Sequence, residues 1–155
     1  MQPNHQPNRQ PNHWKSYTLV AVQFVCLAAI LLTGPLLAPS PWLLAVEAAA
    51  VALGLWALIT VRLGKVQIVP DPHPDAQLVR SGPYRWLRHP MYAALLLGTL
   101  ALVLAQPTPL RWGLWLILLA DLLIKLHYEE RLLMQHFGGY RDYMAESKRL
   151  VPYVY

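Results

Sequence analysis

Four stretches of this chain are so apolar that they decide most of what it can fold into. They cover about 17–33, 41–61, 90–105 and 110–128, and read YTLVAVQFVCLAAILLT, PWLLAVEAAAVALGLWALITV, PMYAALLLGTLALVLA and LRWGLWLILLADLLIKLHY. A helix needs roughly 20 residues to cross roughly 30 Å of hydrocarbon. In oil, a backbone must satisfy its own hydrogen bonds, and a run of this kind does so as a helix. The expectation is an all-α, polytopic membrane protein with four transmembrane helices. Only 14% of the residues are charged, against about 25% in an ordinary soluble domain.

The charges orient the spans. Arg9 and Lys15 precede the first run, and Arg62, Lys65, Arg80, Arg85 and Arg88 lie between the second and third. Arg131, Arg141, Lys148 and Arg149 follow the fourth. Four spans put all these on one side, which the positive-inside rule makes the cytosol, with both termini there. Membrane-flanking charge also accounts for the pI near 9.6, so no nucleic-acid partner is implied. Arg111 stands alone on the opposite side and is expected to be inert there.

Residues 1–15 contain QPNH, QPNR and QPNH in succession. Proline at every fourth position forbids a helix and there is little apolar surface to bury, so this reads as a disordered tail. Its histidines fit low-complexity sequence better than a metal site. A signal peptide is the competing reading of the first run, but the polar leader is long and the run exceeds a usual h-region. Residues 16–155 then form one membrane domain. The loop after the second run includes VPDPHPD, whose prolines keep it extended. Cys26 is the one cysteine, so it forms neither an intrachain disulfide nor a metal site by itself. It reads as a small buried hydrophobe.

Two polar clusters interrupt the apolar pattern at the cytosolic ends of the third and fourth runs. The first is RSGPYRWLRHPMY, with Tyr84, Arg85, Arg88, His89 and Tyr92. Pro90 suits a helix's first turn, and from there His89 and Tyr92 share a face. The second lies where the fourth helix continues as a polar-faced segment until Gly138-Gly139. There Asp121, Lys125 and Glu129 make one stripe, and His127 and Glu130 a neighbouring one. Juxtamembrane anchoring is the plain reading of the arginines and tyrosines, and an internal ion pair that of Asp121 and Lys125. Adjacent Glu129 and Glu130 repel each other unless cations compensate, and the nearest supply is Arg85 and Arg88. A short connection between the third and fourth helices brings the clusters together in a pocket spanning about 77–92 and 125–153.

Such a pocket offers arginines for a carboxylate or phosphate, carboxylates for an amine, and aromatic faces for a ring. S-adenosylmethionine carries all three features; nicotinamide and flavin cofactors fit parts of the pocket. No GxGxxG motif precedes a helix, so a soluble Rossmann enzyme is not indicated.

LVRSGPYRWLRHPMY, followed by EERLLMQHFGGYRDYM and RLVPYVY, resembles the isoprenylcysteine carboxyl methyltransferases and the related phospholipid methyltransferases. The likeness covers residues 77–153. One residue, Gly139, separates Phe137-Gly138 from Tyr140, where the family commonly has two. The resemblance implies an S-adenosylmethionine pocket facing the cytosol, and a lipophilic or lipid acceptor arriving from the bilayer. It implies cofactor contacts from Tyr84, Arg85, His89, Tyr92, Glu129, Glu130 and Tyr140, with Arg88 and Glu129 in the catalytic parts. Membrane sterol reductases, which use NADPH, look similar in their C-terminal part. A non-enzymatic membrane scaffold is the third reading.

Overall fold

The computed structural model describes residues 13–63 and 78–151. The QPN tail up to Asn12 and the VPDPHPD segment lie outside the described residues. The described elements are helices α1 (His13–Leu32), α2 (Pro41–Leu63), α3 (Pro90–Ala105), α4 (Pro109–His136) and α5 (Tyr140–Glu146), with a 3₁₀ turn over Gly82–Arg85. The chain is thus all-helical among the described residues, as expected, apart from one isolated parallel bridge between Leu87 and Lys148. α1 starts inside the stretch assigned to the tail. Proline spacing ends at Pro11, so nothing prevents His13, Trp14 and Lys15 from joining the helix. α4 continues through its polar-faced segment and stops just before Gly138-Gly139, as the sequence indicates.

By length and composition, one described helix segment, Pro41–Val61, is sufficient to cross a membrane. Tyr17–Leu32 and Pro90–Ala105 are apolar but shorter. α2 and α3 pack along small residues: a Cβ on Gly54 would lie 3.5 Å from that of Ala94, and one on Gly98 would lie 3.4 Å from that of Ala50. Such a seam lets two backbones approach where lipid removes the hydrophobic drive between helices. The main core lies between α1, α3 and α4, with Cys26, Ile30, Leu96, Val103, Leu118, Leu122 and Leu126. Cys26 is buried and free, as expected of a small hydrophobe. Trp115 Nε1 donates to Leu96 O at 3.2 Å and pins α4 to α3.

Two threonines within the apolar helices are satisfied locally. Thr60 and Thr99 donate to the carbonyls of Trp56 and Leu95, four residues back, at 2.8 and 2.6 Å. Buried Glu47 accepts from the Ala38 amide at 3.1 and 3.3 Å and closes the α1–α2 connection.

Arg111 is not inert. It is fully buried, at 0% exposure, beside the C-terminal ends of α1 and α3. Its Nη1 donates to Ile30 O at 2.8 Å and Thr33 Oγ1 at 3.3 Å, and its Nη2 donates to Leu102 O at 2.6 Å. These carbonyls belong to last turns, where no intrahelical donor remains to serve them. Gly34 makes room: a Cβ there would lie 2.1 Å from Arg111 Nη1. Counting charges placed Arg111 at an outer turn; it could not show that helix ends would enclose it.

Candidate functional site

The other end of the bundle holds the polar residues. Gly82 adopts φ 58°, and a Cβ on it would lie 2.6 Å from Thr60 Oγ1. Glycine therefore allows this turn to press against the end of α2. The 3₁₀ turn that follows leads to His89, the N-cap of α3, and to Pro90 in its first turn. After α5, residues 147–151 return alongside 86–89 as a short strap. Lys148 N donates to Trp86 O at 2.9 Å, Arg88 N to Lys148 O at 2.7 Å, and His89 N to Arg149 O at 3.1 Å.

The strap encloses a charged centre. Glu130 accepts from Arg88 Nε at 2.7 Å through one oxygen and from Arg149 Nε at 3.0 Å through the other. Arg88 Nη1 also donates to Met144 O, at 3.2 Å, and to Ser147 O. Burial by itself would raise the Glu130 carboxyl, but His89 and Arg88 outweigh it and hold it down at about 2. Arg88 is thus largely committed to Glu130 and the α5–strap junction.

Glu129, one residue earlier, faces a different set of groups. Its Oε1 accepts from Tyr92 OH at 2.5 Å, and its Oε2 lies 3.7 Å from His89 Nδ1. The His89 and Tyr92 rings stack in parallel, 4° apart in plane and 5.4 Å between centroids. They therefore share a face, as their spacing predicts. His89 Nε2 is 3.6 Å from Glu130 Oε1, too long for a hydrogen bond, and is buried without a hydrogen-bond partner. Tyr143 OH donates to Tyr84 O at 2.6 Å and packs edge-on to buried Tyr140. Burial raises the Tyr84 and Tyr140 phenols and pushes Tyr143 up to about 12, so all three stay neutral near pH 7.

Arg88, His89, Tyr92, Glu129 and Glu130 are therefore brought together, with Tyr84 and Tyr140 around them. Arg85 is not: it is exposed on the 3₁₀ turn with no hydrogen-bond partner among the described residues. The two arginines at the glutamates are Arg88 and Arg149, both on Glu130, in place of the expected Arg85 and Arg88. Arg149 was the site residue that sequence reasoning missed. No local pattern marked it, since Arg85 and Arg88 already gave two cations for the two glutamates. Lys125 does not pair with Asp121 by a hydrogen bond or an ion pair within 4 Å among the described residues. It donates to Gln23 Oε1 at 3.1 Å, and Asp121 Oδ2 is buried without a hydrogen-bond partner.

Beside the charged centre lies an apolar cavity of about 910 Å³ between α2, α3 and α4. Trp56, Leu97, Leu100, Trp115 and Leu119 form much of its wall, while Trp86, Leu87, Leu150 and Val151 bring the 86–89 segment and the strap to it. Consecutive strap residues thus serve two environments: Arg149 holds Glu130, and Leu150 lines the apolar space.

The profile of the Phospholipid methyltransferase family matches residues 42–139, more than half of the chain. This chain belongs to the phospholipid methyltransferase family. That family falls in the same group of membrane methyltransferases as the isoprenylcysteine carboxyl methyltransferases, so the resemblance read from RSGPYRWLRHPMY holds at that level. The family's profile takes in α2, α3, α4 and the 3₁₀ turn, and with them Glu129 and Glu130. "Uncharacterized protein YpbQ" of Bacillus subtilis (strain 168) is 30% identical over 105 residues, 63% of this chain. The aligned part is 60% of that relative, so the chain spans less than two thirds of its length.

Proposed function

We propose that this member of the phospholipid methyltransferase family transfers a methyl group from S-adenosylmethionine to a lipophilic acceptor. In this reading the protein has four spans, and the Glu129–Glu130 centre lies at the cytosolic face. The adjacency of an unfilled polar set and a large apolar cavity carries the proposal. His89 Nε2 is buried without a hydrogen-bond partner, 3.6 Å from Glu130 Oε1, and Glu129 Oε2 has only an imidazole 3.7 Å away beside it. Together with the stacked His89–Tyr92 pair, they fit an amine or ribose hydroxyl and a cationic or aromatic group. S-adenosylmethionine bears these groups and supplies an electrophilic methyl on a sulfonium.

The protein's own contribution is placement. Glu129 presents a carboxylate oriented by Tyr92. Glu130, held by Arg88 and Arg149, fixes the strap over the site. The apolar cavity receives the acceptor's hydrocarbon and brings its nucleophile to the polar edge. Holding two reactants in line accounts for a large share of the acceleration such a transfer needs. The family supports methyl transfer; the acceptor class rests on the cavity.

The test is methyl transfer from labelled S-adenosylmethionine by the full chain in lipid nanodiscs, offered membrane lipid extracts and prenylcysteine analogues. Label in a lipid-soluble product is expected. Calorimetry with S-adenosylmethionine and NADPH accompanies it. Binding of NADPH alone would overturn the reading in favour of a reductase, and binding of neither would favour a scaffold.

A further inference from the structure

We infer that Lys125 and Gln23 are positioning residues for the methyl-transfer site, acting through the Tyr92 ring. The inference rests on the methyltransferase reading and extends it to α1, which lies outside the matched family region.

A lysine buried at 8% exposure within an apolar bundle needs a physical reason. The ordinary one would be an ion pair with Asp121, one turn earlier on α4. The ammonium makes no ion pair within 4 Å with it among the described residues. It donates to Gln23 Oε1 on α1 and lies 5.2 Å from the centroid of the Tyr92 ring on α3. Gln23 is also buried, at 8% exposure, so this amide–ammonium bond is shielded from water. Tyr92 in turn stacks on His89 and donates its hydroxyl to Glu129. A relay follows: Gln23 fixes the ammonium, the ammonium holds the Tyr92 ring, and the ring's hydroxyl sets the carboxylate rotamer of Glu129. A cation held over a desolvated aromatic face strongly prefers that face, so the ring loses freedom that the site would otherwise have to remove on binding. Each link comes from a different helix, and the relay ties α1 to a site built on α3 and α4.

The experiment is calorimetric binding of S-adenosylmethionine to the full chain in nanodiscs, with thermal unfolding recorded for every variant. Lys125→Met keeps length and removes charge; Lys125→Arg restores the cation. Lys125→Met should weaken binding by about tenfold, and Lys125→Arg should recover most of it. The decisive comparison is Tyr92→Phe with and without Lys125→Met. If Lys125 acts through Tyr92, losing both should weaken binding hardly more than losing the hydroxyl alone. Wild-type affinity in Lys125→Met, or losses that simply multiply in the double variant, would overturn the inference. If Lys125→Met does not fold, Gln23→Leu takes its place, and an unchanged affinity there overturns it equally. A wild-type protein that binds no S-adenosylmethionine would instead overturn the methyltransferase reading itself, which separates the two failures.

Discussion

Glu129 and Glu130 are neighbours in sequence and opposites in role. Glu130 is spent on two arginines inside the protein; Glu129 keeps one oxygen turned toward the His89 ring, 3.7 Å from its Nδ1. Glu129→Gln should therefore leave the fold intact and weaken S-adenosylmethionine binding about tenfold or more, since a charge-assisted hydrogen bond contributes roughly 1.5–3 kcal/mol. Calorimetry beside a thermal melt checks both halves of that statement. Arg88→Lys should behave differently. Lysine keeps the charge near Glu130 but cannot also reach Met144 O and Ser147 O with the geometry of a planar fork. The expected result is a strap that proteases cut faster, and a several-fold activity loss that lipid and cofactor excess only partly restore. The spacing of RHPMY and EE made this pairing partly legible. Which glutamate faces inward was not legible, because helical phase separates the two by about 100° and only the packed bundle decides which side is covered.

At the level of elements, the strap is the part whose integrity depends on charge. The Glu130 carboxyl is held at about 2 against an ordinary value of 4.5. A lowered folded-state value means that its contribution is fully present above about 4.5 and is lost as pH falls through about 2. Acid should therefore release the strap before the helices part. Trp86 emission, from a residue bonded through its carbonyl to Lys148, would report the release, while far-ultraviolet dichroism holds. Glu130→Gln should show a released strap already at neutral pH. The 3₁₀ turn is a second sensitive element. Gly82→Ala meets both a positive φ and Thr60 Oγ1, and should lower thermal stability by about 1 kcal/mol or more. The helices themselves were readable from apolar runs, and two of their ends from Pro90 and Gly138-Gly139. The strap was not. It is a pairing of 86–89 with 147–149, and no local pattern marks two short polar segments as partners across such a separation.

Across the whole molecule, the polar centre and the apolar cavity share α3, α4 and the strap, and the proposed function gives each its own ligand. Ala93→Phe fills cavity space without touching the Glu129 centre. It should raise the acceptor's KM by an order of magnitude while S-adenosylmethionine affinity stays at the wild-type value. Equal losses of both would show that the two spaces are one. At the opposite end, Arg111→Leu would leave the carbonyls of Ile30 and Leu102 without their donor and should lower thermal stability by roughly 1.5–3 kcal/mol. The same arginine bears on biogenesis. Every group its guanidinium bonds, Ile30 O, Thr33 Oγ1 and Leu102 O, belongs to chain synthesised before it. In the proposed four-span topology, its acceptors are therefore already made when α4 leaves the ribosome. In that reading, α4 meets an α1–α3 pair whose free carbonyls take up the guanidinium as the helix arrives.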